Sequence, residues 1–138
     1  MGRILAIDFG TKRTGLAVTD PSKIIATGLA TIATHEAIDF LKKYIAKEEV
    51  ECFVVGEPKR MNNQPAQAAE ATELFIKQLK KYFPQMEIKR EDERFTSKMA
   101  FQTMIDGGLG KKARQNKELV DTISATIILQ SYLERTGH

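Results

Sequence analysis

Residues 3–20, RILAIDFGTKRTGLAVTD, constrain the possible folds of this chain more than any other stretch. Ile4 to Ile7 is a short apolar run with the length of a strand that is buried on both faces. Gly10 to Thr14 follows as a tight turn, in which Gly10 can take a positive φ, and a second apolar run returns from Gly15 to Val18. The pattern predicts a β-hairpin with one carboxylate, Asp8, at the end of its first strand.

Asp8 has two explanations at this point. An ionised carboxylate beside a buried strand is costly unless it is paired, hydrated or bound to a metal ion, which favours a functional site. Aspartate also often caps a turn through its own backbone, which needs no function. The hairpin by itself favours neither explanation.

The rest of the chain alternates between strand and helix patterns. Three strands in the first 33 residues are followed by helix, strand, helix, strand and two helices. The expected elements after the hairpin are a strand over 24–33, a helix capped by Thr34 and ending near Lys47, a strand over 52–55 ended by Gly56, a helix over 66–83, a strand over 86–91, a helix from 96 or 97 to 105 and a helix over 117–135. This order predicts an α/β fold: three antiparallel strands, then parallel crossovers, form a mixed five-stranded sheet with helices on both faces. We expect a single domain over residues 1–138.

Composition excludes several classes of site. Cys52 is the one cysteine and lies in an apolar run, so an internal disulfide is excluded. The two histidines have no His or Cys partner at zinc-ligand spacing, which argues against a zinc site. No apolar run has the length of a membrane span, and the first residues lack the pattern of a signal peptide, so we expect a cytoplasmic protein without membrane contact. The net charge of +3 permits a polyanionic partner.

Carboxylates recur where predicted strands end and helices begin. Asp8 follows the first strand, Asp92 and Glu93 follow the last, and Asp121 lies in the first turns of the final helix. Ligand sites in such sheets form beyond the carboxyl ends of the parallel strands. Converging carboxylates repel each other unless cations neutralise them, and oxygen-only ligands with open positions suit Mg²⁺ or Mn²⁺. Two such ions promote phosphodiester cleavage by activating water and stabilising the leaving oxygen.

Each acid also has a simpler explanation. A helix dipole favours a charge such as Asp121 near a helix N-terminus, and Asp92 with Glu93 can form a solvated turn. Taken together at one sheet edge, the acids favour a metal site.

Three segments in this order resemble the motifs of the YqgF (RuvX) family of the ribonuclease H-like superfamily. The segments are Asp8 to Gly15 (DFGTKRTG), Asp92 to Thr96 (DERFT), and Lys117 with Asp121 and Ala125. The family is described as Holliday junction resolvases and, in bacteria, as nucleases that process the 5′ end of pre-16S rRNA. Gly56-Glu57-Pro58 also resembles the Gly-x-Pro turn of the family, although residues 61–64 lack the expected glycine.

The resemblance implies that Asp8, Glu93 and Asp121 are the catalytic carboxylates and bind two Mg²⁺ or Mn²⁺ ions. The choice of Glu93 over Asp92 comes from the resemblance alone. Strand alternation argues weakly for Asp92, because Asp92 is expected on the same face of the strand as Ile88. Asp92 is therefore retained as a supporting acid.

Basic residues are expected around this edge. Arg94 and Lys117 belong to the resembling motifs and are expected to face phosphates. The other expected nucleic-acid contacts are Lys12, Arg13, Lys59, Arg60, Lys111, Lys112 and Arg114. The glycine-rich segment 107–116 is expected to be a mobile flap. Lysines on outer helix faces, such as Lys42 and Lys43, are interpreted as solvated charge, and no aromatic pattern for base stacking is visible.

The preferred function is a nuclease that processes the 5′ end of pre-16S rRNA, acting as a monomer or weak homodimer on an RNA precursor or a pre-ribosomal particle. The alternative is a Holliday junction resolvase on branched DNA, which needs a two-fold dimer. Two further alternatives are a non-catalytic nucleic-acid-binding module and an ATPase of the actin, Hsp70 and sugar-kinase type, whose phosphate loop also has an Asp-x-Gly-Thr sequence.

Overall fold

The computed structural model describes residues 2–57, 66–92 and 117–136. These ranges contain five strands, three α-helices and one short 3-10 helix. The strands are β1 (Arg3–Phe9), β2 (Arg13–Thr19), β3 (Ala26–Ala33), β4 (Val50–Glu57) and β5 (Glu87–Asp92). The helices are α1 (Ala37–Lys47), α2 (Ala66–Tyr82) and α3 (Lys117–Thr136), and the 3-10 helix is Thr34–Glu36.

The five strands form one mixed sheet in the order β3-β2-β1-β4-β5. β1 pairs antiparallel with β2, and β2 pairs antiparallel with β3. β1 pairs parallel with β4, and β4 pairs parallel with β5. This arrangement confirms the predicted sheet, with β1 at its centre because both of its faces are apolar.

Each face of the sheet is covered by helices. Leu5, Ile7, Phe53 and Val55 project to the side of α1 and α2, where they form a cluster with buried residues of both helices. Residues of the other parity project to the side of α3. That second cluster contains Ile4, Ala6, Cys52 and Val54 from the strands and Ala125, Ile128 and Leu129 from the helix. Helices on both faces are therefore confirmed.

Two predicted element ends are wrong. Gly56 does not end β4, since Gly56 and Glu57 still pair with Glu91 and Asp92 of β5. Thr34 does not cap α1, which begins at Ala37 without a side-chain cap. The hydroxyl of Thr34 is engaged elsewhere, as described below. The predicted helix over 96–105 and the predicted flap over 107–116 lie outside the described residues.

Cys52 is a core residue, as its apolar neighbours predict. Its side chain is buried on the α3 face, and burial raises the pKa of the thiol to about 11. A thiol with so high a pKa is a poor nucleophile near neutral pH. Among the helices within the described ranges, none is long and apolar enough to cross a membrane.

Close contact between β3 and α3 depends on a glycine. A Cβ at Gly28 would lie 2.5 Å from Cγ2 of Thr122. The Thr122 side chain cannot simply rotate away, because its hydroxyl is hydrogen-bonded to the Thr31 hydroxyl at 2.5 Å. The absence of a side chain at residue 28 therefore sets how closely α3 approaches the sheet.

Gly28→Ala is expected to lower the free energy of unfolding by about 1–3 kcal/mol, the usual cost of overpacking. Thr122→Ser is the matched partner, since serine lacks Cγ2 but keeps the hydroxyl. In the Thr122→Ser background, Gly28→Ala should be neutral or stabilising by up to about 1 kcal/mol, because alanine restricts the unfolded chain more than glycine does. Urea unfolding of the four proteins in this cycle measures the rescue, and equal costs in both backgrounds would contradict the steric explanation.

Candidate active site

Strand register brings two carboxylate-bearing positions to the same level of the sheet. Ile7 of β1 pairs with Val55 of β4, which places Asp8 level with Gly56, and Gly56 pairs with Glu91 of β5. Asp8 and Glu91 are thus two strand spacings apart, about 10 Å between Cα atoms. The residue between them is a glycine, so no side chain separates the two acids.

Both of these positions belong to the α3 face. Asp8 alternates along β1 with Ile4 and Ala6, which belong to the cluster under α3. Glu91 pairs with Gly56, which alternates along β4 with Cys52 and Val54 of the same cluster. Glu91 is only 6% exposed. Burial of a carboxylate is costly unless it has polar partners, so a buried Glu91 level with Asp8 makes this edge a candidate site.

The face that Ile88 occupies does not support the alternation argument for Asp92. Ile88, whose parity Asp92 shares, packs in the cluster under α1 and α2. Arg90, also of that parity, donates a hydrogen bond from Nη2 to Oε2 of Glu73 in α2 at 2.9 Å. The face of Asp8 is the opposite one. Alternation along β5 therefore places Glu91 on the face of Asp8, and Glu93 lies outside the described residues.

The N-terminal part of α3 lies at the same edge. Thr122 bonds to Thr31 of β3, Thr31 pairs with Gly15 of β2, and Gly15 pairs with Asp8. Asp121 immediately precedes Thr122 in the helix, so its backbone lies at the level of Asp8. Ser124 and Ala125 on the next turn are buried and small, as predicted, which lets the helix pack closely on the sheet.

The turn after Asp8 is fixed by a chain of hydroxyl groups. The Thr34 hydroxyl donates to the Gly10 carbonyl at 2.5 Å, so in its 2.8 Å contact with the Thr14 hydroxyl it must accept. The Thr34 backbone N–H also donates to the Lys12 carbonyl at 3.0 Å. Gly10 is required for space and not for a positive φ, since a Cβ there would lie 2.5 Å from the Arg13 carbonyl oxygen.

Two of the expected basic residues can be located fully. Lys12 is exposed and Arg13 half-buried, and both lie in or next to the turn that follows Asp8. Lys117 is the first residue of α3. The other expected contacts lie outside the described residues: Lys59, Arg60, Arg94, Lys111, Lys112 and Arg114. Within the described residues, the expected phosphate contacts at this edge are therefore Lys12 and Arg13.

The donors at this edge fit a hard divalent cation. Asp8, Glu91 and the neighbouring acids offer carboxylate oxygens, and the only described cysteine is buried in the core at Cys52. Oxygen ligands of this kind are typical of Mg²⁺ and Mn²⁺ sites and not of zinc sites. In the described part of the chain, no three acids, histidines or cysteines form a complete metal cluster; Glu93 and the side chain of Asp121 are outside that part.

Glu91 is the residue that the sequence analysis missed. In the sequence it is an ordinary polar residue at the end of a short segment whose strand pattern is weak. The available signal was its position opposite Gly56, but this requires the register of β4 and β5, which the sequence does not provide.

The chain is similar along most of its length to known proteins. The family model described as "RuvX: Holliday junction resolvase" matches residues 2–135. A protein of Flavobacterium johnsoniae named "Putative pre-16S rRNA nuclease" is 62% identical over 133 residues, covering 96% of both chains. A protein of Phocaeicola vulgatus with the same name is 59% identical over 134 residues, covering 97% of this chain and 96% of the relative.

A solved structure resembles the fold. The RuvC protein of T. thermophilus in complex with a Holliday junction substrate superposes with a TM-score of 0.61 over 99% of this chain and 97% of that chain. The sequence identity is 16%, so this likeness concerns the fold, which is ribonuclease H-like as predicted.

Proposed function

The chain belongs to the RuvX family, whose members are nucleic-acid phosphodiester hydrolases, and we propose that it cleaves the 5′ extension of precursor 16S rRNA. The observation that carries this proposal is the alignment of acidic positions on one face of the sheet edge. Asp8 and Glu91 share a level and a face, and the turn of α3 that contains Asp121 lies beside them. High identity to relatives named for pre-16S rRNA supports RNA as the substrate.

We propose Asp8, Glu93 and Asp121 as ligands of two Mg²⁺ or Mn²⁺ ions, with Glu91 as an additional acid of the same face. Such ions supply an activated water and charge neutralisation at the leaving oxygen. The residues around Asp8 hold its backbone and the following turn in place. β1 fixes Asp8 through pairing on both sides, and the hydroxyl chain from Thr34 fixes the turn that carries Lys12 beside it. Lys12 and Arg13 would hold a phosphate of the backbone without reading bases.

The resolvase reading has support of its own, since the matching family model carries that description and the RuvC fold binds a junction. The decisive experiment incubates the protein with Mn²⁺ and two substrates, a 5′-extended 16S precursor RNA and a four-way DNA junction. We expect cleavage of the RNA. Paired symmetric nicks in the junction, with intact RNA, would support the resolvase instead.

The same cleavage assay tests which acid at or just after the end of β5 takes part in catalysis. Glu91→Gln, Asp92→Asn and Glu93→Gln each remove one charge at nearly constant volume. The face argument predicts that Asp92→Asn retains most of the activity, whereas Glu93→Gln loses it. Loss of cleavage in Asp92→Asn alone would show that the strand changes its alternation after residue 91.

A further inference from the structure

A patch on α1, far from the carboxylates, combines aromatic rings with lysines. Phe40 and Tyr44 are partly exposed, and their rings are nearly parallel, with an interplanar angle of 7° and centroids 6.4 Å apart. Lys43 and Lys47 flank them, and the four residues line a surface cavity of about 260 Å³. We call this set, Phe40, Lys43, Tyr44 and Lys47, the α1 patch.

We propose that the α1 patch binds single-stranded nucleic acid, stacking a base on its rings and holding phosphates with its lysines. This inference rests on the proposed nuclease function, because it extends the substrate path of that site. Aromatic platforms with adjacent cations are how proteins bind single strands without sequence preference. The cavity is smaller than the roughly 300–1,000 Å³ of pockets that enclose small molecules, so it suits one flat ring system at a surface.

The charge of the patch fits a polyanion. Lys43 and Lys47 are exposed and neighbours on the helix surface, and neither takes part in an ion pair within the ranges that the structure describes. α1 carries three lysines and one aspartate, Asp39. Glu48, which follows the helix, is paired with Arg3 at 3.4 Å.

Tyr82 of α2 provides an internal contrast. It is 45% exposed, but the ammonium group of Lys42 lies 4.4 Å from the centre of its ring and that of Lys81 lies at 5.6 Å. Its π-face already has cation partners. Over Phe40 and Tyr44, no such cation is found in the described part of the protein, so the exposed part of each ring has no cation partner there.

The position of α1 connects the patch with the catalytic edge. The 3-10 helix that leads into α1 begins at Thr34, which is bonded to the turn after Asp8. The other end of α1 lies near Arg3, at the start of β1. With 11 residues, α1 is about 16 Å long, so a strand that crosses the end of the sheet from the carboxylate face and then follows this helix would pass Phe40 first and Lys47 last.

The test measures binding without cleavage. A fluorescein-labelled single-stranded 12-mer of uridine is titrated in EDTA, and anisotropy gives Kd at several salt concentrations. The variants are Lys43→Ala/Lys47→Ala and Phe40→Leu/Tyr44→Leu, the latter keeping apolar volume where the rings pack on the core. Lys77→Ala/Lys80→Ala on α2 is the matched control for charge. Melting curves verify folding of each variant.

The ring variant should raise Kd about tenfold, the size of one lost base stack, and the lysine variant should raise it by a salt-dependent factor because it loses phosphate contacts. The control should change Kd by less than about twofold. The lysine variant should flatten the salt dependence by about 0.7 per lost phosphate contact, while the ring variant should leave the slope unchanged. If the rings only stabilised the fold, the ring variant would not lose affinity while keeping the wild-type salt slope. The ring variant should leave binding of an RNA duplex of equal length unaltered, and the corresponding thymidine 12-mer shows whether the patch separates RNA from DNA.

Wild-type affinity of the ring variant would overturn the inference. If that variant binds normally while the wild-type protein still cleaves precursor RNA with Mn²⁺, only the α1 patch is wrong and the proposed function stands. If the wild-type protein cleaves neither substrate but the variants lose binding, the proposed function is wrong and the α1 patch stands.

Discussion

Asp8→Asn should lower the rate of RNA cleavage on the order of 10³-fold or more, since removing one member of a cooperating catalytic set removes most of the effect of the set. The amide has the size of the carboxylate but not its charge. Asp8 is half-buried at the end of β1, and the loss of one negative charge relieves repulsion among neighbouring acids. The melting temperature should therefore stay within about 4 °C of the wild type or rise.

Glu134→Gln is the control, because Glu134 is exposed near the C-terminal end of α3, about 20 Å along the helix from Asp121, and the substitution removes the same charge there. Its cleavage rate should match the wild type. A second readout is the melting temperature with added Mn²⁺: a bound ion stabilises the folded state, so the wild type should gain stability and Asp8→Asn should gain less. Wild-type cleavage by Asp8→Asn would remove Asp8 from the site.

Phe53→Ala should have the largest effect on stability, about 3–5 kcal/mol. Phe53 lies in β4, between β1 and β5, and is fully buried. Its ring meets that of Phe83 edge to face, with centroids 5.3 Å apart and an angle of 87°. Truncation would leave a cavity between the sheet and α2. Because domains of this kind unfold at a cost of about 5–15 kcal/mol, the variant would retain little stability.

Phe53→Leu is the companion variant, since it keeps most of the apolar volume and should cost less than Phe53→Ala by at least about 1 kcal/mol. Urea unfolding followed by circular dichroism gives both values. Equal losses in the two variants would contradict the cavity explanation and would indicate that the ring contact with Phe83 dominates.

The sheet could be predicted because its strands are apolar runs separated by polar turns. The order of elements followed from those runs, and the carboxylates drew attention because core packing does not need them. Gly56 was misjudged as a strand end because glycine weakens isolated strands, whereas here β4 is held on both sides by β1 and β5. Thr34 has the composition of a helix cap, but a tertiary partner, Gly10, takes its hydroxyl.

The parts that sequence reasoning missed depend on which face a residue occupies. Periodicity shows which residues share a face of the sheet but not which helix covers that face, so the parity that Asp92 shares with Ile88 could not identify the face of Asp8. Glu91 became visible only through the pairing of β4 with β5. Phe40 and Tyr44 have the spacing of core residues and do touch the core, yet both retain exposed surface beside lysines.

The place of α3 in the chain has a consequence for how the protein is made. The helix packs against β1, β2 and β3, which precede it by more than 80 residues, and within the described residues it packs on the apolar face that holds Ile4, Ala6 and Val54. During synthesis these strands leave the ribosome long before α3 does, so the part of that face that α3 covers stays exposed and prone to aggregation until residues 117–136 arrive. A nascent chain would also lack Asp121 until then. Docking of α3 would thus complete this part of the core and bring Asp121 to the level of Asp8 in a single step.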